Sequence, residues 1–367
     1  MFKLHAVQAE FGDSLILEFG TAAKRRFALV DGGPPDSFAN HLEAALRDVV
    51  GAGQKLDLAV LSHVDNDHVV GLLDMLAALE EDDASGRTRR VQISTLWHNS
   101  FRRTIDADGT ITQRLQGLLS LAAAANTVMQ LTEDAFLGIG EGHRLRTLAL
   151  QLGIPINKGF HDDLILVETA KDPVTLGPLT LTVVGPTRAN LDELKADWLE
   201  WLDKTEEDFA RDPATAANAD QSVPNLSSIV IHCECNGKTA LLTGDARSDH
   251  IEQGLGKAKL LKNGKLHVDL LKVQHHGSNR NMTKGFFQRV TANTYVISAN
   301  GRDDNPDLQT LEFIVETANA AGRQIEIVVT NTTKSTKALR RSHKPSQFGY
   351  TLTVKPTADH TIAVQLA

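Results

Sequence analysis

The sequence predicts an α/β (α+β) fold in four layers, αββα, with two sheets held between helices. Two observations predict it. Each half of the chain carries short apolar runs broken by turn residues, with helical-period stretches between them. Three of those apolar runs end in residues that bind metals, and sheets often build a site that way, at one edge. At 367 residues the chain can bury a large core. It reads as one domain over residues 1–367, with helical insertions at approximately 99–160 and 187–220.

Taken in order, residues 2–7, 14–19 and 26–30 are strand-like, broken by Gly12-Asp13 and by Gly32-Gly33-Pro34-Pro35. Residues 37–50 repeat apolar side chains at helical spacing through Phe38, Leu42, Ala45, Leu46 and Val49. A buried strand is expected over 56–61, a helix over 69–79, a solvated acidic loop over 80–87 and a strand over 93–97. Strand rhythm is then lost, and the Leu- and Ala-rich stretch 112–128 reads as helix. Strands follow at 164–168, 179–184, 228–235 and 239–242. Between them, 190–211 is an amphipathic helix carrying Leu191, Leu194, Trp198, Leu202 and Phe209, and 212–221 is a polar linker. The chain finishes with strands at 266–273 and 294–298, a helix at 308–321, and strands at 325–329 and 350–354.

Hydrophobic residues at 41% and charged residues at 23% are those of an ordinary globular protein. The formal charge of −8 argues against a broadly basic nucleic-acid coat, though not against a local basic groove. No apolar run approaches a membrane span and the first residues lack a signal-like core, so a cytoplasmic location without membrane contact is expected. The cysteines, Cys233 and Cys235, share a strand face with Ile229 and Ile231 and read as small core residues.

Chemistry concentrates in Leu58-Ala-Val-Leu-Ser-His63-Val-Asp65-Asn-Asp67-His68-Val-Val-Gly71. An apolar run ends there in two histidines and two aspartates. Carboxylates crowded at the end of a buried strand repel each other and lose hydration. A pair of divalent cations removes that conflict by giving each ligand a positive partner. A calcium-loop reading fails because the glycine and distal glutamate of an EF-hand are missing. Two more apolar strands end in similar residues, Thr243-Gly244-Asp245 and His275-His276-Gly277-Ser278.

Together these segments resemble the metallo-β-lactamase superfamily, whose usual motif is His-x-His-x-Asp-His. Here Asp65 stands at the second histidine position. That variant, with the other two segments, is similar to the ComEC-type metallo-hydrolase domains. Gly12-Asp13-Ser14, Val30-Asp31-Gly32-Gly33 and Asn225-Leu-Ser227-Ser228 resemble further family segments, and the likeness runs through most of the chain outside the two insertions. The resemblance implies a metal-dependent hydrolase with two divalent ions, zinc or manganese. His63 and Asp65 would hold one ion, Asp67 and His68 the other, and Asp245 would bridge them. One of His275 and His276 would complete the set, the other meeting substrate phosphate or protonating the leaving group, so Asp67, His275 and His276 are the catalytic candidates. Asp31 would support the ligand loop, and Asn225, Ser278 and Asn279 would meet substrate. Two departures stand out: no histidine occurs in 222–228, where most members carry another ligand, and none precedes Pro306.

The resemblance alone implies a phosphoester as the expected substrate, with single-stranded nucleic acid favoured; protein partners are left open. A lactone or carboxylic-ester hydrolase on the same site, or a catalytically silent metal-binding module, are the alternatives, because fold does not fix substrate. The densest basic stretch, 334–344, reads as a solvated loop or as a phosphate contact through Lys337, Arg340 and Arg341. Arg102 and Arg103 read as surface charge, the tryptophans as packing residues, and His98, His143, His161 and His232 as structural.

Overall fold

The computed structural model describes residues 1–124, 130–211 and 228–367, apart from the side chains of 130–139 and 281. In chain order the strands are β1 (Phe2–Val7), β2 (Leu15–Thr21), β3 (Lys24–Val30), β4 (Lys55–Leu56), β5 (Leu58–Leu61), β6 (Gln92–Ile93), β7 (Leu96–His98) and β8 (Val174–Leu176). They continue as β9 (Leu179–Gly185), β10 (Val230–Cys235), β11 (Lys238–Leu242), β12 (Leu266–Lys272), β13 (Val290–Ile297), β14 (Ile325–Val329), β15 (Tyr350–Val354) and β16 (Thr361–Gln365). One sheet has the order β16-β1-β2-β3-β5-β7 and a second the order β15-β14-β13-β12-β11-β10-β9-β8; β4 and β6 form a separate pair.

Side chains alternate across each sheet, and this alternation builds the layers. On β3, Phe27 and Leu29 face the Asn66–Ala84 helix and residues 38–50, while Ala28 and Val30 face the second sheet. On β14, Ile325, Ile327 and Val329 pack against helices Leu308–Ala320 and Lys334–Ser342, while Val328 faces the first sheet. The inter-sheet core joins Leu15, Leu17, Val60 and Trp97 to Leu181, Ile231, Leu242 and Leu270. Cys233 and Cys235 are buried in it, as their spacing predicts. The result is helix, sheet, sheet, helix.

Helices from 99–160 and 187–220, the stretches expected as insertions, meet. Ile111, Leu115 and Leu118 of helix Thr110–Ala124 share a core with Leu191, Leu194, Trp198 and Trp201 of helix Arg188–Arg211. The Gln130–Gln151 helix instead joins the layer on the first sheet, placing Leu145, Leu148 and Ala149 beside Leu72 and Leu76.

Several sequence expectations are corrected. Residues 164–168 form no strand. Leu164, Ile165 and Leu166 are buried, but the Ile165 N–H and C=O are taken by the Asn99 side chain, at 2.8 Å each, instead of a ladder. The acidic loop expected at 80–87 is helical to Ala84, its end fastened by Asp82, which accepts from Arg87 and Arg90. The basic stretch is also helical over Lys334–Ser342, closed by a capping box between Thr333 and Thr336 and anchored by Leu339. Sequence periodicity missed β16, which pairs with β1, and the Ser248–Lys257 helix. The expected linker at 212–221 lies outside the described residues. Among the described residues no helix is long and apolar enough to cross a membrane.

Candidate metal centre

The three ligand-bearing segments converge at one edge. Strands β5, β11 and β12 end at Leu61, Leu242 and Lys272, and the chain beyond each turns inward. β11 and β12 are parallel neighbours, so Asp245 and the His275-His276 turn emerge side by side. The first sheet brings His63 against them: the Ile229 N–H donates to the Ser62 carbonyl at 2.9 Å across the two sheets.

Asp67, His68, Asp245 and His276 form a group whose donor atoms lie within one ligand shell. His276 Nε2 is 3.1 Å from Asp67 Oδ2 and 3.5 Å from Asp245 Oδ2. His68 Nε2 is 3.4 Å from Asp245 Oδ1 and 3.8 Å from Asp67 Oδ1. His63 Nε2 is 3.4 Å from Asp65 Oδ2 and 3.8 Å from Asp245 Oδ2. His275 Nε2 is 3.8 Å from Asp245 Oδ2. Asp245 is therefore approached by all four histidines, His68 on one oxygen and the rest on the other.

The surroundings fix which nitrogen of each buried ring faces inward. His68 Nδ1 is 2.9 Å from Asp31 Oδ2, so it carries the proton and donates. The Ser62 hydroxyl gives its hydrogen to Asp31 Oδ2 at 2.7 Å, so it accepts from His63 Nδ1 at 3.0 Å. His276 Nδ1 donates to the Ser298 carbonyl at 3.1 Å. In all three rings the Nδ1 proton is committed and the Nε2 lone pair points at carboxylates. These Nε2 atoms are buried and have no hydrogen-bond partner among the described residues. Lone pairs facing carboxylate oxygens repel unless something positive stands between them. Two donors on one ion, each about 2.1 Å from it, are separated by roughly 3.0–3.4 Å. The observed separations begin in that range, so the residues fit divalent ions.

The protonation balance points the same way. Burial opposes charge on His68, yet Asp245, Asp67 and Asp31 raise its pKa well above the usual value. His276 is likewise raised, against burial, by Asp245 and Asp13. Burial also opposes ionisation of Asp245, but His276, His68 and His275 hold it well below the usual carboxylate range. Without a metal, protons are drawn to the inward nitrogens; an ion of higher charge can replace them.

The supporting shell is denser than the sequence suggests. Asp31 accepts from the Ser62 N–H and hydroxyl as well as His68. Ser228 Oγ accepts from the Asp245 N–H at 3.0 Å and lies 3.3 Å from His63 Nδ1. Asp13 pairs with the fully buried Lys272 at 2.6 Å and lies 3.6 Å from His276 Nδ1. Asp13, Asp31 and His68 also cluster closely enough for a metal, but Asp31 and His68 Nδ1 already satisfy each other. Sequence reading assigned no role to Ser62, Lys272 or Ser298; Asp13, Asp31 and Ser228 fall in the family-like segments.

The two adjacent histidines take different positions. His275, His276 and Gly277 all have positive φ, at 47°, 52° and 86°. This tight turn buries His276 inside the group and leaves the His275 side chain 25% exposed at its rim. Among the substrate candidates, Ser278 donates its N–H to the His275 carbonyl at 2.7 Å. The Asn279 N–H meets Asp307 Oδ2 at 2.8 Å, and its side chain meets Gln309. Asn225 lies outside the described residues. Lys337, Arg340 and Arg341 are exposed on the Lys334–Ser342 helix, with Arg340 donating to the Leu352 carbonyl at mid-strand; no hydrogen bond or ion pair among the described residues joins them to the cluster.

No protein-family profile matches the chain. It is 31% identical over 97 residues to ComE operon protein 3 of Bacillus subtilis (strain 168). That stretch is 26% of this chain and only 12% of that protein. Among solved structures, the chain is similar to a new diphosphatase from the PhnP family, at 11% identity and a TM-score of 0.40, covering 100% of this chain and 98% of the other. It is also similar to the metallo-β-lactamase SMB-1 bound to 2-mercaptoethanesulfonate, at 12% identity and a TM-score of 0.28, covering 75% and 81%. The sheet order and the layers themselves define the fold.

Proposed function

We propose that this chain is a metal-dependent hydrolase that cleaves phosphodiesters, with single-stranded nucleic acid as the favoured substrate. The observation that carries the reading is the set of buried imidazole lone pairs at His63, His68 and His276, turned without hydrogen bonds toward Asp245 and Asp67. His63, Asp65 and Asp245 would hold one divalent ion; Asp67, His68, His276 and Asp245 would hold the other. Zinc suits the imidazoles and manganese the carboxylates. When bound, paired ions activate water and offset the charge that develops on the attacking and leaving oxygens of an in-line displacement at phosphorus.

The chain's own residues supply orientation and a proton. Asp31, Ser62 and the Ser298 carbonyl keep the three rings in the tautomer that presents Nε2. Burial of the His68 and His276 side chains excludes bulk water from the inner group. His275, at the rim and still 3.8 Å from Asp245, is positioned to protonate the leaving oxygen. In a phosphodiester that proton would go to the departing alkoxide oxygen.

The test is a panel of bis-p-nitrophenyl phosphate, single-stranded DNA, a lactone and nitrocefin, each with manganese or zinc. Turnover of the first two, abolished by chelation and restored by metal, is expected. Turnover of the lactone or nitrocefin alone would replace this reading with carboxyl chemistry. Metal binding with no turnover of any would leave the silent binding module.

A further inference from the structure

We infer that the cleft where the two helical insertions meet binds a second phosphate of the substrate, apart from the one that is cut. Arg102, Arg103 and Arg188 line a cleft of about 500 Å³, together with Ala107, Asp162 and Leu164. Its volume suits a small ligand or part of a larger one. Arg102 and Arg103 lie on the short Phe101–Thr104 helix, and Arg188 begins the Arg188–Arg211 helix. Nothing in the local sequence links them. The fold brings them to one cleft.

Among the described residues the three cleft arginines have no carboxylate partner, a state they share with Arg323 and Arg340, whose side chains donate to backbone carbonyls instead. Arg26, Arg90, Arg114, Arg247 and Arg289 each pair with an aspartate or glutamate. In the cleft, Arg103 donates to the Asp162 backbone carbonyl at 3.2 Å. No hydrogen bond or ion pair among the described residues engages the side chains of Arg102 and Arg188. The Asp162 carboxylate in the lining sits 3.1 Å from His161 Nδ1. A chain with 46 acidic and 38 basic residues had ample carboxylates to place here. Guanidinium groups left unpaired in a concave site form a forked, permanently charged receptor for an anion, and phosphate fits that fork bidentately.

The cleft opens from the same edge as the metal centre. His98, at the end of β7, pairs with Leu61, two residues before His63, and Arg102 follows four residues after His98. Gly185, at the end of β9, pairs with Val230, two residues after the Ser228 that touches His63, and Arg188 follows three residues after Gly185. Asn99 holds Ile165, and two residues on the Val167 N–H donates to the Pro186 carbonyl at 3.1 Å, which joins the two approaches. At about 4.8 Å between strands and at most about 3.5 Å per residue, Arg102 and Arg188 lie within roughly 25 Å of His63 along either path. That reach suits a substrate with linked phosphates better than one with a single phosphate. The identity of the anion rests on the phosphodiesterase reading; the unpaired charge does not. Its source is either a strand of nucleic acid or a small molecule with two phosphates.

The experiment compares the parent with Arg102→Gln/Arg188→Gln, both at exposed positions, using three probes. These are bis-p-nitrophenyl phosphate, the dinucleotide pTpT and a 5′-fluorescein-labelled single-stranded DNA dodecamer. Expected is a rise in KM of about tenfold or more on a probe with several phosphates, and kcat/KM on the one-phosphate ester within about twofold of the parent. In a second arm, anisotropy of the dodecamer is followed in EDTA, where no turnover can occur. The slope of log affinity against log salt should become shallower by about 0.7, from one lost phosphate contact on a single strand. An effect on both pTpT and the dodecamer supports a phosphate next to the cut one; an effect on the dodecamer alone supports a more distant phosphate of a polymer. Parent-like binding and turnover in the variant, or no binding of either probe by the parent, overturns the inference. A parent that cleaves no phosphodiester yet loses dodecamer binding in the variant would overturn the proposed function and leave the anion site standing.

Discussion

At the scale of the residue, the centre depends on where single protons sit. Ser62 has one hydroxyl hydrogen, and its use on Asp31 decides the tautomer of His63. Asp13 performs a related service near His276: burial opposes its ionisation, but Lys272 and then His276 hold it well below the usual range. Asp245 touches both halves of the ligand set, so Asp245→Ala should reduce bound metal from two ions to a weakly held remnant. Elemental analysis after gel filtration reads this, and two retained equivalents would remove the bridging role. The histidine pair should divide by function. His276→Ala should lose metal, whereas His275→Ala should keep it and lose about 10²- to 10⁴-fold in kcat, the usual range for a positioned proton donor. The reverse pattern would exchange the two assignments.

At the scale of the element, the ligand loop is held by a backbone contact that leaves no room for side chains. The Gly32 N–H donates to the His68 carbonyl at 2.8 Å and the Gly71 N–H to the Gly33 carbonyl at 3.0 Å. A Cβ on Gly71 would come within 1.9 Å of the Gly32 carbonyl oxygen, a backbone atom that cannot swing aside. Gly71 lies in the Asn66–Ala84 helix, whose first turn carries Asp67 and His68. Gly71→Ala therefore has to push that turn away from Asp31. It should cost about 1–3 kcal/mol of stability, in the range of overpacking, and weaken metal binding as well. Urea denaturation and a metal titration measure the two effects. An unchanged midpoint with unchanged affinity would mean that the contact is not limiting.

At the scale of the whole molecule, the site lies where four layers end together, so its stability is the stability of the packing behind it. His98 illustrates the coupling. It ends β7, is fully buried, and burial, then Arg146, push its pKa down to about 4 from the usual 6.5. The unfolded chain takes up this proton near pH 6.5 and the folded chain does not. The stabilisation is therefore complete above pH 6.5 and is lost as the pH falls from there toward 4. The loss is on the order of 3 kcal/mol, from about 1.4 kcal/mol for each unit between the two values. Denaturation midpoints measured from pH 7.5 to 4.5 should fall in this window, and His98→Gln should flatten the fall. An equally steep fall in the variant would assign it to other groups.

By itself the sequence determined what can be read within a few residues. Alternation in 26–30 and 325–329 shows which side chains lie on which face of a strand, because the two-residue repeat of a strand is a local property. The packets at His63 to His68, at Asp245 and at His275-His276 were legible for the same reason: each is contiguous and each follows an apolar run. Tertiary structure decided the rest. It turned 164–168 from an expected strand into a segment satisfied by Asn99, because hydrogen-bond partners can come from any part of the chain. It closed the first sheet with β16 and gave the 334–344 stretch a helix cap and a buried Leu339. It chose His276 over its neighbour for the inner position, since two adjacent residues in a left-handed turn point different ways and only packing selects one. It also brought Arg188 to Arg102 and Arg103, across a separation in sequence that no local periodicity can encode. Strand and ligand identity are short-range properties of the chain, whereas the direction of a lone pair and the convergence of charges exist only once distant segments are packed.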